Sequence, residues 1–265
     1  EGGNHVDVSG PAFHALLILD PAQQRNLVAQ LGCLLELQAF RMGHHLRLQQ
    51  FQHLAGIAAQ QALVDDLLPK IGIPETGKGE LFPATLFSAA TKGVWLEIGF
   101  GGGEHLAGQA ALHRDTGFVG AEPFVDGVAK LLTAIDEQGL SNVRLRRGDA
   151  RDLVASFDDA CIDRAFILFP DPWPKTRHRK RRLVQPDFVA ELARVMKPGA
   201  PLRFATDWAD YANRALAALI RDGHFEWTAT RADDWRKPPA DHVTTRYQEK
   251  RLGDCEPVFL DFVRV

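Results

Sequence analysis

Short apolar runs alternate with segments of helical periodicity between about residue 94 and residue 220 of this chain. Apolar runs of about four to eight residues are typical of buried strands, and apolar residues that recur every three or four positions indicate helices. The predicted strands are 94–98, 117–121, 143–147, 164–169 and 201–205, and the predicted helices begin after Gly103 and cover 127–138, 186–196 and 211–220. This alternation predicts an α/β fold with a mostly parallel central sheet and helices on both faces.

The first sixty residues have a different composition. They contain no Lys, three Arg, eight Gln and five of the ten His, whereas every Lys, Trp and Tyr lies beyond them. Leucines at helical spacing predict a helix within 24–40, and an amphipathic stretch over 63–68 is predicted to end at Pro69. We therefore predict an N-terminal extension of uncertain order over 1–60 and one domain over 61–265.

Composition narrows the class of protein without identifying it. The chain has 265 residues, 45% of them apolar and 25% charged, which is typical of a globular protein and excludes fibrous or disordered classes. Its three cysteines form no CxxC pair and predict a reducing compartment, the cytoplasm. No apolar run reaches the ~18 residues of a membrane span, and no set of Cys, His and acids at ligand spacing predicts a metal site. A net charge of -3 gives, by itself, no indication of a nucleic-acid partner.

Acidic residues stand at four of the predicted strand ends. Open parallel sheets bind ligands beyond the carboxyl ends of their strands, and these positions hold Glu97, Glu122, Asp149 and Asp171. Each has an alternative interpretation: Glu97 precedes a glycine turn that can be purely structural, Glu122 also suits a nicotinamide cofactor, Asp149 suits a helix N-cap, and Asp171 lies in a stiff turn with three prolines.

The glycine-rich turn after the first strand discriminates between cofactors. It reads E-x-G-x-G-x-G, with Glu97, Gly99 and Gly101, and Glu104 stands where a dinucleotide fingerprint requires its last glycine. Glycine lets the backbone approach a ligand closely. A carboxylate attracts the cationic S-adenosylmethionine but repels a pyrophosphate. The turn therefore has the pattern of class I S-adenosylmethionine-dependent methyltransferases.

A strongly basic segment follows the fourth strand. Residues 173–182 read WPKTRHRKRR, with six Lys or Arg, one His and no acid. Like charges in one run repel each other, so a polyanion partner explains the segment better than an exposed loop without a partner does. Phosphate contacts there would position a nucleic acid without reading its sequence.

These motifs together resemble the bacterial tRNA (guanine-N7)-methyltransferase family, a class I methyltransferase family with a Rossmann-like fold. The resemblance covers about 63–265 and is carried by 96–101, by the Phe-Pro-Asp-Pro-Trp string at 169–173, and by 180–182, 205–208 and 245–247. It implies transfer of the methyl group of S-adenosylmethionine to N7 of the variable-loop guanine at position 46 of tRNA, by a cytoplasmic monomer or homodimer. The family's Thr-x-aromatic-Glu motif ends here in Gln248, with Glu249 next.

The resemblance also implies roles for individual residues. The implied cofactor ligands are Glu97, Gly99, Gly101, Glu122, Asp149 and Asp171. The implied substrate-binding residues are Lys175, Asp207, Thr245, Arg246, Tyr247 and Gln248. The implied tRNA contacts are Arg177, His178, Arg179, Lys180, Arg181 and Arg182.

The chemistry of guanine N7 restricts the mechanism. This nitrogen has a free lone pair and no proton, so its attack on a sulfonium methyl group needs no general base, and positioning is expected to do most of the catalysis. We expect Asp171 to stabilise the cationic product base as catalytic residue, Asp207 to hold the guanine edge, and Trp173 or Tyr247 to stack on the base. A methyltransferase for another RNA or a small molecule, a non-catalytic RNA-binding module and a nicotinamide dehydrogenase remain the alternative functions.

Overall fold

The computed structural model describes residues 45–265, and the predicted helix within 24–40 lies outside them. The chain divides into two units, Glu1–Pro69 and Lys70–Val265. The first unit contains helix α1 (His45–Asp66), and a short helix α2 (Leu68–Ile71) follows. Pro69 lies in the first turn of α2, where proline is tolerated because no intrahelical N–H bond is lost. The helix that covers the start of the predicted stretch 63–68 ends at Asp66, two residues earlier than expected, and Pro69 belongs to a new helix instead of ending one. No helix among the described residues is long and apolar enough to cross a membrane.

The second unit is built on a seven-stranded sheet. Its strands are β1 (Val94–Ile98), β2 (Gly117–Glu122), β3 (Val143–Arg147), β4 (Arg164–Leu168), β5 (Pro201–Thr206), β6 (Phe225–Trp227) and β7 (Val258–Arg264), in the order β3-β2-β1-β4-β5-β7-β6. The first five strands are parallel, and β7 pairs antiparallel with both β5 and β6. The mostly parallel sheet is confirmed, and the edge strands β6 and β7, of which β7 runs antiparallel to the others, were not predicted.

The helices follow the strands in the expected alternation. They are α3 (Glu104–Leu112), α4 (Val125–Gln138), α5 (Ala150–Ser156), α6 (Pro186–Val195), α7 (Ala209–Asp222), α8 (Asp233–Arg236) and α9 (Arg246–Lys250), with 3₁₀ helices at Pro83–Leu86 and Thr176–Arg181. From β1 the chain proceeds to β2 and β3 on one side, and β4 and β5 lie on the other. Because crossovers between parallel strands are right-handed, this reversal places helices on both faces and opens a crevice between β1 and β4.

The core is apolar on both faces of the sheet. All six residues of β2 are buried, as is expected where helices cover a parallel sheet on both sides. The antiparallel edge has an additional ionic contact: Arg203 of β5 lies opposite Asp261 of β7 and donates from Nε to its Oδ1 at 2.8 Å. Such a cross-strand pair favours one register over its neighbours.

Candidate active site at the switch point of the sheet

The glycine-rich turn after β1 has the backbone conformation that its sequence predicts. Gly99, Gly101 and Gly103 have φ of 68°, 54° and 79°, in the left-handed region that other residues rarely adopt. Gly103 is the N-cap of α3, so the turn leads directly into the positive end of a helix. A side chain at Gly101 would place its Cβ 2.9 Å from Cε2 of Tyr247, which shows how closely this ring covers the turn.

A cavity of about 470 Å³ opens beside this turn. Its size lies within the ~300–1,000 Å³ range of small-molecule sites. Residues from the ends of all five parallel strands line it, and they include five of the six predicted cofactor ligands: Gly99, Gly101, Glu122, Asp149 and Asp171. Trp173, Arg181, Asp207 and Tyr247 line it as well. The sheet topology thus brings together four carboxylates that lie far apart in the sequence.

Glu122, the last residue of β2, fixes the glycine turn. Its carboxylate accepts hydrogen bonds from the backbone N–H of Gly101 at 2.9 Å and of Phe124 at 3.0 Å. Burial raises the pKa of this carboxyl above its ordinary value of 4.5, against the opposing effect of the two amides, and the nearby Asp171 raises it further. Glu122 is therefore held rigidly at the cavity wall.

Glu97 lies behind the cavity and not in its wall. It is buried and does not line the cavity, and its Oε2 lies 2.7 Å from Nδ1 of the fully buried His105. Glu97 is the fourth residue of the five-residue strand β1, and successive side chains of a strand point to opposite faces. Its carboxylate consequently packs behind the glycine turn and against His105 of α3, and its role as a cofactor ligand stays a prediction.

Asp149 has the predicted N-cap role and also lines the cavity. It is the N-cap of α5 and accepts a hydrogen bond from the backbone N–H of Arg151 at 2.8 Å, and Nη1 of Arg151 lies 3.1 Å from Oδ2. The same side chain is half exposed and lines the cavity. Arg151 also lines the cavity, and no sequence motif had indicated it.

The turn after β4 is conformationally strained. Phe169 and Trp173 have φ of 50° and 39°, which is unfavourable for residues with a Cβ. This conformation ends β4 at Leu168, one residue before the predicted end. Asp171, between the two strained residues, is exposed at the cavity. Nε of Arg182 donates to the carbonyl of Pro172 at 2.7 Å and thereby anchors the turn.

The basic segment divides into exposed and structural residues. The 3₁₀ helix Thr176–Arg181 carries most of it, and its exposed cations, including the N-cap, are Lys175, Arg177, Lys180 and Arg181. Arg181 lies over the Trp173 ring, 5.0 Å from its centroid, and lines the cavity. His178 is half-buried with its ring edge-on to Trp173, and Nη2 of Arg179 lies 3.3 Å from Asp210.

Arg182 corrects the prediction that the whole basic segment contacts tRNA. It is 2% exposed, its Nη1 donates to Oδ2 of Asp210 at 2.7 Å, and its guanidinium lies over the Tyr211 ring. A guanidinium with these partners holds the segment against α7 and is not accessible to phosphate. A run of like charges in a sequence does not show which of its members face inward.

Two of the predicted substrate-binding residues, Asp207 and Tyr247, line the cavity from different segments. Asp207 follows β5, is buried, and accepts a hydrogen bond from the backbone N–H of Gly253 at 2.8 Å. Thr245 is the buried N-cap of α9 and accepts from the N–H of Gln248. Arg246 lies 3.3 Å from Glu104 at the start of α3, and Tyr247 lines the cavity.

The other four predicted substrate-binding residues, Lys175, Thr245, Arg246 and Gln248, do not line this cavity. Oε1 of Gln248 accepts a hydrogen bond from Nε2 of His242 at 2.6 Å, and Lys175 is exposed beside the strained turn. Phe124 and Leu252, both exposed apolar side chains, line the cavity instead and had no sequence signal. Residues 55–265 contain no cluster of three or more His, Cys, Asp or Glu that could hold a metal ion.

Comparisons with known proteins point to one family. A family described as "Putative methyltransferase" matches residues 91–259. A tRNA (guanine-N(7)-)-methyltransferase of Caulobacter vibrioides is 60% identical over 205 residues, which cover 77% of this chain and 88% of that protein. Proteins of the same name from Hyphomonas neptunium and Rhodospirillum rubrum are 55% and 44% identical, over 77% and 78% of this chain and 92% and 83% of theirs. The solved 16S rRNA (adenine(1408)-N(1))-methyltransferase of Catenulisporales acidiphilia is 18% identical, with a TM-score of 0.47 over 66% of this chain and 89% of that one.

Proposed function

This chain belongs to the tRNA (guanine-N7)-methyltransferase family, and from that premise we propose how its cavity and basic segment carry out the reaction. The enzyme transfers the methyl group of S-adenosylmethionine to N7 of a guanine in tRNA. One observation supports the assignment of the site: four carboxylates, each from a different strand end, line one cavity beside a cationic 3₁₀ helix.

The residues of the cavity fit S-adenosylmethionine. The bound cofactor supplies an electrophilic methyl group on a sulfonium centre. Glu122, Asp149, Asp171 and Asp207 give the wall an excess of negative charge over its two cations, Arg151 and Arg181, and this balance favours a cationic ligand. We assign Glu122 to the ribose hydroxyls, as an acceptor of charge-assisted hydrogen bonds, and Asp149 to the adenine amino group. Gly99 and Gly101 leave the backbone open to close approach.

Asp171 is the residue we assign to the developing charge. Methylation at N7 turns a neutral base into a cation, and a fixed carboxylate nearby stabilises that charge in the transition state. Phe169 and Trp173, both in the left-handed region, and the Arg182 bond to Pro172 keep Asp171 in place. No side chain has to remove a proton, because the N7 lone pair is already free.

The substrate base is held, on this proposal, by residues at the mouth of the cavity. Asp207, kept in place by the Gly253 amide, accepts hydrogen bonds from the guanine N1–H and 2-amino group. Trp173 and Tyr247 line the cavity from two different segments and provide ring faces for an unstacked base. The variable-loop guanine is the expected target.

The exposed cations bind the phosphates of tRNA. Lys175, Arg177, Lys180 and Arg181 lie immediately after the turn that carries Asp171, so a bound backbone would pass beside the reacting centre. Such contacts orient the RNA and contribute salt-dependent affinity.

One experiment tests the proposal. Unmodified tRNA is treated with methyl-labelled S-adenosylmethionine, digested to nucleosides and mapped, and the wild-type chain should place label only in 7-methylguanosine of the variable loop. Asp171→Asn should lower kcat at least ~100-fold, an effect typical of one lost electrostatic stabiliser. Its thermal unfolding should be unchanged, because the side chain is exposed. Label in another nucleoside would assign a different RNA methylation, and near-normal activity of Asp171→Asn would reduce Asp171 to a turn residue. Asp126→Asn, at an exposed acid in the first turn of α4, is the control.

A further inference from the structure

Two histidines, His105 fully buried and His242 half-buried, form a contact between the back of the cofactor cavity and the segment that carries Tyr247. His105 lies on α3 and His242 lies three residues before the N-cap of α9, and their ring centroids are 6.0 Å apart. Phe166 packs edge-on against His105 and Phe259 against His242, at centroid distances of 4.7 and 4.9 Å. The mechanism described above uses neither histidine.

Each ring has one hydrogen-bonded nitrogen. Nδ1 of His105 lies 2.7 Å from the Glu97 carboxylate, and Nε2 of His242 lies 2.6 Å from Oε1 of Gln248. Amide and carboxylate oxygens only accept, so both of these nitrogens carry hydrogen. The other two nitrogens are buried and have no hydrogen-bond partner among the described residues. Because burial lowers the pKa of His242, the neutral ring is its stable form, and this ring has a single N–H to donate.

The segment around His242 is tied to α3 at several further points. Nε2 of Gln109 donates to the carbonyl of Asp241 at 2.6 Å, and Arg246 lies 3.3 Å from Glu104. Gly108 allows a close approach, because a Cβ there would lie only 3.2 Å from the Val243 side chain. These contacts fix the chain that leads into α9.

Helix α9 itself depends on its side-chain bonds. It has five residues, far below the ~12 needed for a helix to be stable alone in water. The Thr245 cap and the Gln248–His242 bond hold its first turn. Tyr247, one residue before Gln248, covers Gly101 from this turn. Because the side-chain oxygen of Gln248 already accepts the hydrogen bond from His242, we assign Gln248 to holding α9 and not to binding the base.

We propose that His242 is a positioning residue for methyl transfer, which through its bond to Gln248 holds α9 so that Tyr247 lies over the glycine turn and the target base. The role rests on the proposed function, in that Tyr247 receives the base. His242 touches neither substrate nor cofactor. Its charged and titratable surroundings are His105 and Glu97 behind it, Arg203 of β5 and the adjacent Asp241.

The test compares His242→Leu, which removes the N–H, with His242→Gln, whose amide can donate to the same acceptor. One neutral hydrogen bond corresponds to a factor of about 2–12. His242→Leu should therefore raise KM for tRNA about fivefold and leave the Kd for S-adenosylmethionine of the free enzyme within about twofold. His242→Gln should restore KM to within about twofold. In a Gln248→Leu background, His242→Leu should have no additional effect, because both substitutions break the same bond.

A second measurement needs no substrate. Hydrogen–deuterium exchange of the peptide covering 245–251 should be about fivefold faster in His242→Leu and normal in His242→Gln. A wild-type chain that forms no 7-methylguanosine in tRNA would contradict the proposed function, whereas the exchange result would still decide the role of His242. The proposal would be overturned if His242→Leu left both the exchange rate and KM unchanged. It would also be overturned if the increases in KM caused by His242→Leu and Gln248→Leu multiplied in the double variant, or if His242→Gln failed to restore both the exchange rate and KM.

Discussion

Arg182→Met separates the structural residues of the basic segment from those that bind RNA. The substitution keeps most of the side-chain volume against Tyr211 but removes the hydrogen bonds to Pro172 and Asp210 and the contact of the cation with the ring. A hydrogen bond from a charged donor contributes about 1.5–3 kcal/mol. The pair with Asp210 adds less, about 0.5 kcal/mol, because that carboxylate is 40% exposed. We expect a loss of about 2–3 kcal/mol in the free energy of unfolding.

The expected loss can be measured directly. For a domain of this size about 2–4 °C of Tm is lost per kcal/mol, so calorimetry should show Tm lower by about 5–10 °C. The turn that carries Asp171 should also loosen, and kcat should fall. The slope of log K against log salt for tRNA binding should nevertheless equal that of the wild type, because Arg182 reaches no phosphate.

Lys180→Ala is the matched control. Lys180 is an exposed neighbour on the same 3₁₀ helix. Its replacement should leave Tm within about 1 °C and reduce the salt slope by about 0.7–0.9, the contribution of one phosphate contact. The reasoning would be refuted if Arg182→Met reduced the salt slope by a similar amount and left Tm unchanged.

Three further predictions concern the cavity. Affinity for S-adenosylmethionine should fall as the pH is lowered toward the pKa of Glu122, because protonation removes a hydrogen-bond acceptor. Burial raises that pKa, so the fall in affinity should begin at a higher pH than for an ordinary carboxyl. Calorimetric titration should show that the affinity of Glu122→Gln depends less on pH. Gly101→Ala should raise KM for tRNA more than Gly99→Ala does, since both residues have positive φ but only a Cβ at Gly101 meets Tyr247; equal values would mean that the ring position is unimportant. Replacing Trp173 and Tyr247 together with Leu should lower kcat/KM on tRNA at least ~10-fold through lost base stacking, and an unchanged kcat/KM would exclude both rings as the stacking surface.

The sequence by itself determined the five parallel strands, three of the helices between them and the family, whereas α5 had only an N-cap signal at Asp149. Apolar runs and helical periodicity are local properties, so they locate β1 to β5 to within about a residue. The sequence also predicted the turn with Gly99, Gly101 and Gly103, because its left-handed backbone conformation favours glycine. The rule that parallel sheets bind ligands at one end predicted Glu97, Glu122, Asp149 and Asp171 at one site. The last three of these line the cavity, together with Asp207, which only the family resemblance had indicated.

Burial and partner choice were decided by the tertiary structure. Glu97 and Glu122 are both glutamates near the carboxyl end of a parallel strand. Glu97 nevertheless pairs with His105, whereas Glu122 lines the cavity. The direction of a side chain at a strand end depends on where the strand stops and on what packs behind it. Likewise, the six cations of 173–182 are equivalent in sequence, but only Arg182 is buried against Asp210 and Tyr211.

The antiparallel edge and the segment 241–248 depended on contacts between distant residues. Arg203 and Asp261 meet across β5 and β7, and His242 meets His105 and Gln248. No period or motif marks such pairs, because each residue's environment is supplied by a part of the chain 6 to 137 positions away. Sequence pattern therefore specified the scaffold and the chemistry of the strand ends, whereas folding decided which charged groups face the ligand and which support the residues that do.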